Sequence, residues 1–285
     1  MANPYLALVE AHATLLQKTD APLFANLDGL TPATDTAAAD APVVAIFAPH
    51  PDDECIIGAL PLRLQREAGH RVVNVAVTQG SNVPRKAERW AELKNACDYL
   101  AWGLRETIPG GLEAVTCKTR DGDAAAWAAK VDVIVGILEE LKPAVVVCPN
   151  DNDGHAAHIG THFLVMDALK KAKHACLVVQ SEFWRAMATP NALIGSNSTD
   201  TADLIAALAC HVGEVQRNPY HLRLTSWMAD NVRRGAEVVG GAGVAAPTFS
   251  FGTIYRIDRF DGLQLVASEK KYVLAESDDI RAVFA

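Results

Sequence analysis

Two short polar clusters hold most of the side chains that could do chemistry in this sequence. The first is Pro49-His50-Pro51-Asp52-Asp53-Glu54; the second runs from Asn150 through Asp151, Asn152, Asp153, Gly154 and His155 to His158. Two histidines and one carboxylate are a recurring catalytic zinc set, with the fourth coordination position left open to water. His50 and Asp53 stand three apart in the first cluster, and His155 and His158 stand three apart in the second. Residues at i and i+3 share a helix face, so both imidazoles of the second cluster can reach one cavity. His158 and His162 are one turn apart as well, which leaves open at this point which of the histidines bind. His162, beyond the first turn, is expected to be structural. Asp52 is left over beside such a metal and suits a general base for a zinc-bound water, whose pKa falls from about 15.7 toward ~7 on coordination. Taken singly, the HPDD run also reads as a turn with a capping aspartate, and the H-x-x-H as a surface pair. Together, each at the end of an apolar run, they point to one site.

Those apolar runs are the elements that must position the clusters. Val43–Ala48 is unbroken and rich in β-branched residues, the mark of a strand buried on both faces. Chemistry in an open α/β sheet gathers just beyond the carboxyl ends of its strands. Pro49 and Pro51 fix φ on either side of His50 and stiffen the loop. A helix to about Gly69 follows, then a strand over 71–78, a strong helix over 85–101, an irregular stretch over 105–123, a helix over 124–141 and a strand over 144–149. After the second cluster come a helix over 158–172, a strand over 176–184, a loop to about Thr201, helices around 203–215 and 222–238, and β-like segments at 248–257 and 263–266. Alternating strands and helices predict an α/β fold, a doubly wound and mostly parallel sheet flanked by helices. The expected organisation is an N-terminal helical extension and linker over 1–41, then one domain over 42–285. Residues 5–16 have helical apolar spacing and are expected to pack on the main body; 26–41 reads as a loop.

Composition narrows the function classes. The chain has 285 residues, half of them hydrophobic, and a formal net charge of −8, which argues against a nucleic-acid surface. No apolar run approaches the ~20 residues that span a bilayer. The first eighteen residues lack a basic n-region and make a poor signal peptide. Cys55, Cys97, Cys117, Cys148, Cys176 and Cys210 form no C-x-x-C pair and read as reduced thiols of a cytoplasmic protein. The expected partner is a small molecule, with homo-oligomerisation left open.

The run Ala48-Pro49-His50-Pro51-Asp52-Asp53-Glu54 resembles the A-H-P-D-D-E motif of the PIG-L (LmbE-like) family of zinc-dependent N-acetylglucosamine de-N-acetylases. The resemblance extends over roughly residues 42–215. It takes in Thr78-Gln79-Gly80, the Arg89-Trp90-Ala91-Glu92-Leu93 helix, the H-x-x-H and, weakly, His211. It implies a Rossmann-like sheet and one Zn2+ per chain, or another divalent metal, held by His50, Asp53 and His158. It also implies that Asp52 is the base and that His155 stabilises developing charge. Arg89 is a candidate for holding substrate hydroxyls or an anionic group, the other reading being a surface cation paired with Glu88 or Glu92. Glu54 is expected to support the loop, and Arg233 and Arg234 to sit at a solvated helix end.

The chain departs from the family pattern at Ala157, where the usual second motif, H-x-D-H, has a carboxylate. It departs again in the loop TQGSNVP after the second strand, and in the extension and the 218–245 segment, which are not general family features. Asp151 or Asp153 is expected to replace the missing carboxylate as partner of His155. The departures leave the metal site intact and bear on the substrate. The function expected is hydrolysis of an N-acetylated amine of N-acetylglucosamine type. The alternative is a zinc-dependent hydratase or lyase acting on a small acidic substrate. A non-catalytic zinc-binding protein is disfavoured by the open ligand position and the spare carboxylate.

Overall fold

The computed structural model describes residues 3–17, 21–34 and 37–284. Positions 35–36 of the expected 26–41 loop, and 1–2 and 18 of the stretch read as a poor signal peptide, lie outside them. Helix α1 (Leu6–Leu16) is followed by β1 (Val43–Ala48), α2 (Asp53–Ile56), α3 (Ala59–Ala68), β2 (Arg71–Ala76), α4 (Lys86–Leu100) and β3 (Gly103–Glu106). Then come α5 (Cys117–Gly122), α6 (Ala124–Leu141), β4 (Val145–Pro149), α7 (Ala156–Ala172), β5 (Ala175–Ser181) and β6 (Ala192–Ser196). The chain continues through α8 (Ser198–Leu208), α9 (Val212–Arg217), α10 (Tyr220–Gly235), β7 (Phe251–Asp261), β8 (Leu265–Val266) and β9 (Tyr272–Leu274).

The strands form one sheet in the order β3-β2-β1-β4-β5-β7-β6-β9, with β8 paired to β7. β1 to β5 are mutually parallel, β7 runs antiparallel to β5 and β6, and β9 is parallel to β6. The expected mostly parallel, helix-flanked sheet is what forms. Alternate residues of β1 supply both faces. Val44, Ile46 and Ala48 join a core with Leu60, Leu62, Leu93, Leu204 and Met228 of α3, α4, α8 and α10. Ala45 and Phe47 join a second core with Ile134, Leu138, Leu164 and Ala168 of α6 and α7. A strand covered on both sides needs the continuous apolar run seen in the sequence.

Some expectations are corrected. The 105–123 stretch opens on the end of β3 and contains α5, and the expected loop before Thr201 contains β6. β9 was not foreseen. The helix expected over 203–215 is two, α8 and α9, broken at His211. α1 meets the body only lightly, at α10: Ala13 and Leu16 are half-buried, while Tyr5, Leu6, Leu8, Val9 and Leu15 are exposed. By contrast Leu23, Phe24, Leu27 and Leu30, in the stretch between α1 and β1, lie against the first core.

Candidate active site

β1 and β4 are adjacent and parallel, with Val44 opposite Val145 and Ile46 opposite Val147. Between them the strand order reverses, and the helices that follow them lie on opposite faces. Their carboxyl ends therefore open into a shared crevice. Pro49-His50-Pro51-Asp52 leaves β1 into this crevice and Asn150–His155 leaves β4. The sheet thereby joins two clusters about a hundred residues apart in sequence.

Within the crevice Asp53 Oδ2 lies 3.3 Å from His50 Nδ1 and 3.3 Å from His158 Nε2. A tetrahedral zinc with bonds of ~2.0–2.2 Å separates its ligand atoms by about 3.3–3.6 Å, so both edges fit. Neither ring nitrogen of the buried His158 has a hydrogen-bond partner. Each faces a carboxylate instead: Nε2 faces Asp53, and Nδ1 faces Asp153 Oδ1 at 3.2 Å. A carboxylate behind the second ring nitrogen is the usual support of a metal-ligating histidine. His155 closes the cluster, and ligand atoms of His50, His155 and His158 all lie within 4.8 Å of one another. The donor set therefore fits a divalent metal.

The charges agree with the geometry. Burial opposes ionisation of Asp53, but His158 and His50 hold its carboxyl well below the usual range. Burial likewise opposes charge on His158, yet Asp53 and Asp153 push it up to about 10. The two carboxylates, one on each side of the imidazole, thus favour positive charge at His158. A second cluster, Glu54, Cys55 and His211, also converges. Its members hydrogen-bond one another, His211 Nε2 to Glu54 Oε1 at 2.8 Å and Cys55 Sγ to Glu54 Oε1 at 3.1 Å. It is fully buried and has no opening to substrate.

Asp52 has φ +107°, a conformation that costs a non-glycine residue ~1–3 kcal/mol. It is held there by its own N–H, which donates to Glu54 Oε2 at 3.0 Å. Glu54 therefore supports the loop, as expected, and reaches His211 with its other oxygen. Burial, Asp53 and Glu54 raise the Asp52 carboxyl well above its usual range. Asp52, His50 and His155 line a cavity of about 680 Å³ together with Thr78, Arg89 and Tyr220, within the ~300–1,000 Å³ of small-molecule sites.

His155 is the N-cap of α7. Its Nδ1 accepts from Ala157 N–H at 3.3 Å, which leaves Nε2 as the protonated nitrogen. Burial and the neighbouring His50 and His158 lower its pKa. The expected carboxylate partner is absent: Asp153 turns to His158, and Asp151 is exposed. His162 does not join the cluster; its Nδ1 lies 2.9 Å from the Pro149 carbonyl, beneath the loop.

Arg89 differs from its surface reading. It donates to the Pro51 carbonyl at 3.0 Å, and its Nε lies 3.6 Å from Glu214 Oε1. Its guanidinium occupies the space a side chain at Gly80 would need. Arg85, not Arg89, pairs with Glu88 and Glu92. Arg233 pairs with Asp230 at an exposed helix end, while Arg234 binds the buried Glu182. Sequence reasoning missed Glu214, Arg217 and Tyr220 on the cavity wall, and Phe183 and Trp184. The last two directly follow β5, on the same sheet edge as both clusters, and that position was a usable signal.

A Rossmann-like α/β sheet with a His/Asp cluster at its switch point is the LmbE-like fold. Residues 45–169 match the PIG-L family, described as GlcNAc-PI de-N-acetylase. A curated relative, 1D-myo-inositol 2-acetamido-2-deoxy-alpha-D-glucopyranoside deacetylase of Mycolicibacterium gilvum (strain PYR-GCK), is 28% identical over 152 residues, covering 43% of this chain. The chain spans about half (52%) of the length of that relative. Among solved structures, N,N'-diacetylchitobiose deacetylase from Pyrococcus horikoshii superposes with a TM-score of 0.55 at 16% identity, over 89% of this chain and 93% of that one. The 4-carboxy-2-hydroxymuconate hydratase of Pseudomonas putida KT2440 superposes with a TM-score of 0.56 at 15% identity, over 82% and 100%. At these identities both likenesses concern the fold alone.

Proposed function

We propose that the protein is a metal-dependent amide hydrolase that removes the acetyl group from an N-acetylated amine of N-acetylglucosamine type. The observation that carries this is Asp53 Oδ2 at 3.3 Å from both His50 Nδ1 and His158 Nε2, with a spare buried carboxylate, Asp52, beside it on the cavity wall. His50, Asp53 and His158 would hold one zinc, or another divalent cation, per chain. When bound, zinc supplies Lewis acidity at the amide carbonyl and acidifies water.

The chain's own residues do the rest. Asp52, made more basic by burial and by Asp53 and Glu54, accepts a proton from the attacking water and passes it to the departing amine. His155 presents Nε2–H, because its Nδ1 is engaged by Ala157 N–H, and donates it to the developing oxyanion. Without a carboxylate partner it does so as a neutral donor. Arg89 holds the Asp52 loop through Pro51 and offers its remaining N–H groups to substrate oxygens. The relatives named as deacetylases support this reading. No helix among the described residues is long and apolar enough to cross a membrane, and the free cysteines suit the cytoplasm.

The test is acetate release from a panel of N-acetylated sugars and amino acids, by metal-stripped protein with and without added zinc. Zinc-dependent release supports the reading; no release from any member sinks it. The alternative of a hydratase on a small acidic substrate stands because the same fold carries a hydratase. Loss of the ultraviolet absorbance of an unsaturated 2-hydroxy acid, without acetate release, would select it.

A further inference from the structure

An apolar groove of about 220 Å³ adjoins the main cavity, lined by Ile56, Phe183, Trp184, Tyr220, Leu224 and Trp227, with Arg223 as its charged member. Phe183 and Tyr220 line both spaces, so the groove is continuous with the candidate site. The ridge between them is aromatic. The Trp184 ring lies nearly parallel to His155 with centroids 5.9 Å apart, and Phe183 lies 5.1 Å from the His158 ring. At about 220 Å³ the groove is smaller than the ~300–1,000 Å³ of a self-sufficient small-molecule site. It suits one portion of a ligand whose remainder occupies the main cavity.

We propose that this groove is a subsite for a planar apolar group, an aromatic ring, carried by the substrate whose N-acetyl group occupies the main cavity. This rests on the deacetylase reading for the main cavity. The chemistry of the lining selects the occupant. A second sugar would need both donors and acceptors for its hydroxyls, and here the side chains offer the Trp184 and Trp227 indole N–H groups and the exposed Arg223 guanidinium as donors, with the Tyr220 hydroxyl as their one acceptor. An aromatic ring needs none, and gains from offset or edge contacts with Trp184, Trp227 and Phe183. The groove is built by α10 and by the residues just after β5. It therefore draws on the 218–245 segment that sets this chain apart from the general family pattern.

The probes are the methyl and benzyl glycosides of N-acetylglucosamine, with binding to the zinc-loaded protein measured by calorimetry and acetate release measured in parallel. The benzyl compound is expected to bind at least about tenfold more tightly, a ratio equivalent to about 1.4 kcal/mol. In Trp227→Ala this ratio collapses toward one, while Trp227→Phe retains most of it; circular dichroism of both variants establishes that they are folded. Equal binding of the two glycosides, no binding of either, or a preference that survives in folded Trp227→Ala overturns the subsite. If Trp227→Ala does not fold, loss of the preference in Leu224→Ala supports the subsite and its persistence there overturns it. A benzyl preference without acetate release from either glycoside supports the subsite while counting against deacetylation. Acetate release without a preference removes the subsite alone.

Discussion

At the scale of single residues, Asp52, the proposed base, sits in a strained conformation. Its φ of +107° suits glycine, so Asp52→Gly relieves ~1–3 kcal/mol of strain and gives back ~0.5–1 kcal/mol in chain entropy. The variant is expected to melt a few degrees higher, at ~2–4 °C per kcal/mol for a chain of this order of size, while losing turnover. A lower melting temperature would show that Asp52 is not strained. Asp52→Asn keeps the shape and removes the base, so zinc content should hold while turnover falls by ~10²-fold or more. The supports of the metal ligands separate in the same way. His158→Ala should reduce zinc to well below one equivalent, and His162→Ala should leave it near normal. Asp153→Asn, which removes the carboxylate facing His158 Nδ1, should weaken zinc binding by ~10–100-fold, read by competition with a chelator. The sequence showed the proposed ligand types and their spacing, but not which acid faces which histidine. That choice depends on where the loop after β4 folds back, and Asp153 reaches His158 where His155 was expected.

At the scale of elements, the legible parts were those whose pattern is set locally. β1, β2, α4, α6, β4 and α7 each carry long apolar runs or helical periodicity, and all form within a few residues of their expected bounds. β3, β6 and β9 are short, and β6 contains a glycine; they become strands because a neighbour supplies the ladder. The break between α8 and α9 has a long-range cause. Apolar periodicity runs on through Leu208 and Val215, but His211 is buried against Glu54 from the β1 loop, and the chain turns there. A close approach nobody would read locally is at Gly160. A Cβ on that residue of α7 would run into the Val115 carbonyl in a loop that lines the cavity. Gly160→Ala is expected to lower the melting temperature and raise KM, and a melting curve matching wild type would refute the contact. His70, after α3, stacks on Phe284 with centroids 5.3 Å apart, and burial lowers its pKa. Its folded pKa lies below its unfolded value of about 6.5, so the folded state binds fewer protons. This contribution is present above about pH 6.5 and is lost as pH falls through the lowered folded value. The melting temperature of His70→Gln should therefore fall less steeply than that of wild type between pH 7 and 5.

At the scale of the whole molecule, the sheet is covered on both faces by two cores that meet only through β1, β4 and their neighbours. The part of the chain ahead of β1 divides in a way that composition did not reveal. α1 has helical apolar spacing yet fully buries no residue, with only Ala13 and Leu16 half-buried, because periodicity specifies a face without specifying what the face meets. The stretch after it, read as linker, carries Leu23, Phe24, Leu27 and Leu30 against the first core. It is also tied by backbone bonds, Phe24 N–H to the Ala209 carbonyl at 3.1 Å and Ala33 N–H to the Tyr99 carbonyl at 2.8 Å. The Asn95 side chain adds a bond to the Ala25 carbonyl at 2.7 Å. Removal of residues 1–17 should thus leave the melting temperature within about a degree of wild type, since surface changes away from packed features sit within ~0.5 kcal/mol. Removal of residues 1–34 strips four apolar side chains and exposes the surfaces of α4 and α8 that they cover. Each partly buried side chain contributes a fraction of the ~1.5–3 kcal/mol of full burial, and several such losses should lower the melting temperature by at least a few degrees. Equal melting of the two truncations would mean that residues 21–34 add nothing to the fold. A large loss on removing 1–17 alone would mean that α1 has a partner in solution, and sedimentation of the two truncations beside wild type would show whether that partner is a second copy of the chain.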